Sequence, residues 1–290
     1  MVMEGVLVAL VTPFKDGSVD YTALRALVDF QLENGTDGIV PCGTTGESAT
    51  LSTDEKKKII ETVIEHVNHR ALVIAGTGSN DTRSSTSLTK WAKDAGADGA
   101  LVVTPYYNKP TQEGLYQHYE AIAKVGLPLC LYNVPSRTGV SLSVDTIARL
   151  AEHSEVVAIK EATADMIFAS NIIKRCGDKI KVLSGDDFTF LPLLSLGARG
   201  VISVASNIVP QRMADIYDHF MLGNWSQAKE AHYDLFPLMQ ALFLETNPIP
   251  VKTALSLMGR IDAEMRLPLC PMKQENVEKL QKILEEKNLL

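Results

Sequence analysis

The stretch Ala95-Gly-Ala-Asp-Gly99, running directly into Ala100-Leu-Val-Val-Thr104, decides the fold. Glycine readily takes the left-handed conformation that ends a helix, and valine favours extended backbone. The stretch therefore reads as a helix turning into a short buried strand. The same joint recurs at Leu196-Gly-Ala-Arg-Gly200, ahead of Val201-Ile-Ser203. Working outward from these two joints, eight apolar, β-branched runs emerge: Gly5–Val11, Gly38–Cys42, Leu72–Ala75, Ala100–Thr104, Leu129–Asn133, Val156–Lys160, Lys181–Ser184 and Gly200–Val204. They are continuous rather than alternating in polarity, as strands buried on both faces of a parallel sheet must be.

The segments between the runs carry helix signals. Ser52-Thr-Asp-Glu55 has the form of a capping box. It precedes a helix expected to bury Ile59, Ile60, Val63 and Ile64 and to leave Lys56, Lys57 and Lys58 in solvent. Asp81 and Asp187 are expected as N-caps, and Gly35, Gly96, Gly126 and Gly197 as helix ends. Eight strand–helix units fit an α/β fold closed as a (β/α)8 TIM barrel better than an open sheet. The pattern predicts a catalytic barrel over residues 1–224 and a C-terminal helical extension over 225–290. The extension is expected to break at Asn247–Pro250 and Leu267–Pro271 and, lacking a flexible linker, to pack on the barrel.

Composition narrows the function. Of 290 residues, 46% are hydrophobic and 22% charged, and the formal net charge is −7. That much apolar content excludes disorder, and the negative field argues against nucleic acid as a partner. No apolar run approaches the ~18 residues that a membrane span requires. Met1 to Leu10 is apolar, but it carries Glu4 and no basic segment, so it reads as a first strand rather than a signal peptide. Cys42, Cys130, Cys176 and Cys270 form no CxxC pair, which fits a reducing cytosol and argues against a structural metal.

Barrel chemistry collects at the C-terminal ends of the strands. Lys160 closes Val156-Val-Ala-Ile-Lys160, where strict alternation puts Val156, Ala158 and Lys160 on one face. An ammonium inside a barrel mouth is costly unless paired or neutral, and a neutral amine can attack a ketone to form a Schiff base. Pairing with Glu161 or snorkelling to the rim is the structural alternative, and position alone leaves both open. Gly43-Thr-Thr-Gly-Glu47 offers a nest of amides and hydroxyls for an anion, or an ordinary tight turn. It lacks the Lys-Ser/Thr ending of a nucleotide-binding loop, and Gly76-Thr-Gly78 lacks the third glycine of a dinucleotide fingerprint. Tyr132 is a candidate proton carrier, or a packed strand tyrosine. Arg137 is a candidate carboxylate clamp, or a surface ion-pair partner. His66 and His69 read as solvated, Cys42 and Cys130 as inert core thiols, and Asp186-Asp187 as a helix start.

Six segments in order carry a likeness: Gly43–Glu47, Tyr132-Asn-Val-Pro-Ser-Arg-Thr-Gly139, Ile159-Lys-Glu-Ala-Thr163, Leu183-Ser-Gly-Asp-Asp187, Gly200-Val-Ile-Ser203 and Asn247-Pro-Ile-Pro-Val-Lys252. Over essentially its whole length the chain resembles the pyruvate-dependent class I aldolases of the N-acetylneuraminate lyase superfamily. Within that superfamily it is most similar to the synthases that condense pyruvate with L-aspartate 4-semialdehyde in lysine and diaminopimelate biosynthesis.

The resemblance implies that Lys160 forms a Schiff base with pyruvate, that Tyr132 carries the proton, and that Thr44 and Tyr107 complete a relay. Tyr107 would act from an adjacent subunit of a homotetramer built as a dimer of dimers. It further implies Thr45 on the pyruvate carboxylate, Arg137 on the carboxylate of the semialdehyde, Gly185 and Ile202 in the pyruvate pocket, and no cofactor or metal. A pyruvate-releasing sugar-acid lyase is the alternative, disfavoured by Ser136-Arg-Thr-Gly139 after the tyrosine. A catalytically silent binder of 2-oxo acids is disfavoured by Lys160, Tyr132, Thr44 and Tyr107 occurring together. Ser48, Ala49, Asn80 and Tyr106 match an effector site in lysine-inhibited relatives, but Thr53, Lys56 and Ser84 depart from that site's pattern. No acidic partner for an effector's amines is present, so weak or absent lysine feedback is expected.

Overall fold

The computed structural model describes residues 3–290; Met1 and Val2, the start of the expected N-terminal strand segment, lie outside it. Eight strands, β1 (Gly5–Ala9), β2 (Gly38–Val40), β3 (Leu72–Gly76), β4 (Gly99–Val103), β5 (Leu129–Asn133), β6 (Val156–Glu161), β7 (Lys181–Ser184) and β8 (Gly200–Ser203), pair in parallel. β1 also pairs with β8, so the sheet closes into a barrel.

Around it run α1 (Tyr21–Glu33), α2 (Thr53–Val67), α3 (Thr82–Asp94), α4 (Gln112–Ala123), the single turn α5 (Pro135–Thr138), α6 (Val144–Leu150), α7 (Met166–Cys176), α8 (Phe190–Leu196) and α9 (Pro210–Met221). Then come α10 (Trp225–Ala241), α11 (Ile249–Leu257) and α12 (Gln274–Glu286). α10 packs on α8 and α9, and α12 on α10 and α11. The chain breaks between α10 and α11 and again before α12, around the two proline clusters.

The strands are buried on both faces, and two cores result. Val6, Val8, Ile39, Val73, Leu129 and Ile159 face the helices in one continuous core. Leu7, Ala9, Val40, Ile74, Leu101, Cys130, Ala158, Leu183 and Ile202 fill the barrel interior. Such side-chain layers make a TIM-barrel lumen a packed core rather than a pore.

Several local expectations are corrected. Val156 does not share a face with Ala158 and Lys160: it packs in the outer core. The register slips where Leu129 pairs with Val156 but Cys130 with Ala158, leaving Val157 as an extra residue that turns the lower strand over. β2 stops at Val40 because Pro41 has no N–H to donate, and Cys42 lies beyond it with a φ of 58°. Asp81 caps α3 by accepting from Ser84 N, but Asp187 caps nothing. The Asp187 carboxylate is fully buried and accepts from Val204 N and Ala205 N, tying the β7 loop to the end of β8. Lys56 is partly buried rather than solvated, so burial lowers its pKa, and it lines a cavity. His66 is bonded to Asp29 on α1 at 2.8 Å, whereas His69 is exposed. Cys42 and Cys130 are buried thiols pushed up to about 12 by desolvation, as inert core thiols should be.

Candidate active site

The register of β5 against β6 sets the centre of the site. Tyr132 and Lys160 are direct partners across the two strands, both pointing into the lumen at its C-terminal end. Lys160 Nζ stands 4.6 Å from the centre of the Tyr132 ring, and the two residues are 5% and 6% exposed. Lys160 makes no ion pair among the described residues. Glu161, the alternative partner, lies on the opposite face. It accepts from Asn133 Nδ2 at 3.1 Å and Thr163 N at 2.5 Å, and burial raises its pKa. The lysine is thus a buried, uncommitted amine beside a phenol.

Above it open two adjoining cavities, of about 370 Å³ and 290 Å³, which share Thr44, Tyr132, Val134, Arg137 and Asn247. Lys160, Thr45, Gly185 and Asp186 line the larger; Ser48, Ala49, Lys56 and Tyr106 line the smaller.

The loop after β2 is held by Glu47 N donating to Thr44 O and Ser48 N to Gly43 O. The amides of Thr44 and Thr45 find no acceptor among the described residues, so they remain free for an anion. Below the loop, the buried Glu47 carboxylate receives Lys252 Nζ at 2.5 Å and Arg266 N at 3.2 Å, which fixes the loop from beneath. Arg137 rises on α5, which begins on Pro135 and ends on Gly139 at a φ of 71°. Its one hydrogen bond, Nη2 to Asn247 O at 3.0 Å, leaves most of the guanidinium fork free. Gly185 is required as glycine, because a Cβ there would sit 2.4 Å from the Ala162 Cβ. Burial pushes the Asp186 carboxyl up to about 6, and Asp187 adds to this, while the Lys160 and Arg137 cations oppose it.

Not every expected residue reaches the cavity. Ile202 lies beneath, in the lumen core, and Val204 supplies the wall from the end of β8. Tyr107 is 89% exposed at a φ of 73° and lines neither cavity. Asn80 lines neither as well; its carbonyl accepts from Asn108 Nδ2. Sequence reasoning gave no role to Asn247 or Lys252, although both lie in a quoted segment, and it took Asp186 only for a helix start. Among the described residues, no group of three or more His, Cys, Asp or Glu side chains is placed to hold a metal, and no helix is long and apolar enough to cross a membrane.

A closed parallel barrel with a buried amine, a phenol, an amide nest and a guanidinium at the C-terminal ends of its strands defines a TIM-barrel enzyme. The chain belongs to the dihydrodipicolinate synthetase family, whose model matches residues 2–287. It is 56% identical over 288 residues to the 4-hydroxy-tetrahydrodipicolinate synthase of Geotalea uraniireducens, covering 99% of both chains. The dihydrodipicolinate synthase structure from Aquifex aeolicus superposes with a TM-score of 0.98 at 50% identity, covering 99% of both chains. The chloride-inhibited dihydrodipicolinate synthase of Acinetobacter baumannii, solved with pyruvate, gives 0.98 at 49% identity over all of both chains.

Proposed function

We propose that this barrel mouth condenses pyruvate with L-aspartate 4-semialdehyde, the reaction of a Schiff-base-forming lyase in lysine biosynthesis. The observation that carries the reading is the pairing of Lys160 with Tyr132 on adjacent strands, buried and facing a cavity that holds a free amide nest and a free guanidinium.

The Lys160 amine adds to the pyruvate ketone and expels water to give the imine. The amides of Thr44 and Thr45, with the Thr45 hydroxyl, hold the pyruvate carboxylate. Tyr132, as acceptor and then donor, takes up a methyl proton as the imine becomes the enamine, and returns it to the new alkoxide once the enamine carbon has attacked the aldehyde. Arg137 holds the second carboxylate bidentately. The substrate's own amine then attacks the imine carbon, closes the ring and releases Lys160. Thr44 and Tyr107 complete the proton relay. The exposure of Tyr107, with a backbone shape that projects it outward, supports a role in a neighbouring subunit's cavity, which requires at least a dimer; the family likeness extends this to a homotetramer, and the absence of paired cysteines suits the cytoplasm. The barrel of residues 1–224 and the helical extension of 225–290 act together, because the extension supplies Asn247 and Lys252.

The test is pyruvate consumption with L-aspartate 4-semialdehyde, N-acetylmannosamine and glyceraldehyde in parallel, alongside borohydride trapping of pyruvate on Lys160. Consumption with the semialdehyde alone is expected, with trapping and turnover both lost in Lys160→Ala. Consumption with a sugar aldehyde would move the site to the lyase branch, and turnover surviving in Lys160→Ala would refute the imine.

A further inference from the structure

One residue beyond Tyr132 and Lys160, the same two strands carry a second buried pair. Asn133 and Glu161 are register partners at the ends of β5 and β6. Alternation turns their side chains away from the lumen, and they are 0% and 2% exposed. The Glu161 carboxylate accepts from Asn133 Nδ2 through one oxygen and from Thr163 N through the other. Its main-chain oxygen accepts from Gly185 N at 2.6 Å. Asn133 closes a further circuit. Its Oδ1 accepts from Leu142 N at 3.0 Å, and the Ser141 hydroxyl lies 3.4 Å from the same oxygen. Residues 133 and 142 bracket the segment that carries α5 and Arg137, so this bond draws that segment shut.

Burial raises the Glu161 pKa, and no ion pair among the described residues offsets the penalty. An apolar pair would join the strands without that penalty. What the carboxylate adds is direction. It takes one donor from the facing strand and one from its own chain beyond β6, which fixes how the two strand ends slide and roll. The extra residue at Val157 interrupts the register lower down β6, so the lock sits at the end where the amine is aimed. Alignment matters here, because a displacement of about 1 Å can cost about 100-fold in rate.

On the footing that Lys160 carries pyruvate as an imine beside Tyr132, we propose that Glu161 and Asn133 are the positioning residues of that pair. Neither lines a cavity, so neither touches substrate. Their hydrogen bond aims the amine at the phenol, and the bond from Leu142 N to Asn133 sets Arg137 against both.

The experiment uses the full chain as Glu161→Gln and as the double variant Asn133→Asp with Glu161→Gln. The single variant keeps the shape but turns an amide NH2 toward Asn133 Nδ2 or Thr163 N, donor against donor. Flipping the Asn133 amide only moves the conflict to Leu142 N. In the double variant the new amide at 161 donates to the new carboxylate at 133. That carboxylate still accepts from Leu142 N and the Ser141 hydroxyl, so each buried polar group regains a partner. Borohydride trapping of pyruvate reports the amine. Exchange of the pyruvate methyl hydrogens with deuterium oxide, with no aldehyde present, reports the step from imine to enamine.

In Glu161→Gln, exchange and kcat should fall about tenfold or more, while the KM for pyruvate stays within about twofold, since the amide nest after β2 is untouched. The double variant should recover most of the exchange. Unchanged exchange in Glu161→Gln would overturn the proposal, as would a KM that rises as steeply as kcat falls, the mark of a collapsed cavity. A double variant that stays impaired, or does not fold, would also overturn it, because that variant restores the bonds in question. If Glu161→Gln alone fails to fold, the double variant decides. Failure of the unaltered protein to trap pyruvate would instead overturn the imine at Lys160, whatever the variants do.

Discussion

His118, on α4, shares one hydrogen bond with Thr82 Oγ1 at 2.9 Å, and its Nε2 is buried with no partner. Burial outweighs the pull of Asp81 and depresses its pKa to about 4. Below the ordinary value of 6.5, the unfolded chain takes up a proton that the folded chain refuses. The neutral ring's contribution to stability is therefore complete above pH 6.5 and is lost as pH falls toward 4. At ~1.4 kcal/mol per pH unit, it should weaken folding by about 2 kcal/mol between pH 7 and 5. Urea titrations of the wild type and His118→Gln at both values should show this difference; equal pH slopes would refute it.

Single residues were legible where their chemistry is local. Lys160 declared itself as a cation ending an apolar strand. Asn247 did not, because its partners Thr45 and Arg137 are 202 and 110 residues away and only the closed barrel brings them together.

At the N-terminus of α2, Ser52 Oγ accepts from Glu55 N, and the Glu55 carboxylate accepts from Ser52 N. The same carboxylate takes two bonds from Arg266, at 2.9 and 2.7 Å. The Arg266 guanidinium is the main cause holding Glu55 near 2. Glu55→Gln should cost about 1–2 kcal/mol at neutral pH, the scale of a lost cap. Since the folded pKa is depressed, this gap between wild type and variant should persist above pH 4.5 and close as pH falls toward 2; a gap that persists at pH 2 would count against the pair. The capping box was readable because its partners are three residues apart. The extra residue in β6 was not, since a bulge is defined only against the neighbouring strand. The burial of Lys56 was missed for a related reason: periodicity along α2 does not show which loops cover its first turn.

Across the whole molecule, one buried pair joins the C-terminal helices to the catalytic mouth. Lys252 Nζ on α11 meets Glu47 with both side chains fully buried, and it sits 4.3 Å from the centre of the Phe14 ring. Removing one member leaves an uncompensated buried charge, so Lys252→Met should cost about 3–5 kcal/mol. Because Glu47 anchors the amide nest, pyruvate trapping should fall as well, even at temperatures where the variant stays folded. A stable variant that still traps pyruvate normally would show that the loop holds its shape unaided. The barrel class was legible because eight units repeat one pattern, whereas this tie was not, since it spans 205 residues.

The seam between β1 and β8 has a consequence in time. Gly5 pairs with Gly200, and a Cβ on Gly200 would lie 2.1 Å from the Gly5 oxygen, so the first and last strands meet backbone against backbone. Asn207 fastens the same seam, donating to Ala9 O and accepting from Val11 N. On the ribosome, β1 emerges first but cannot find its second neighbour until some two hundred residues have followed. Until then it keeps a free edge in an apolar, aggregation-prone nascent chain. Closing so long a loop is also entropically slow. Barrel closure is thus a late event, and the apolar side chains of the lumen depend on it for their final shielding from water.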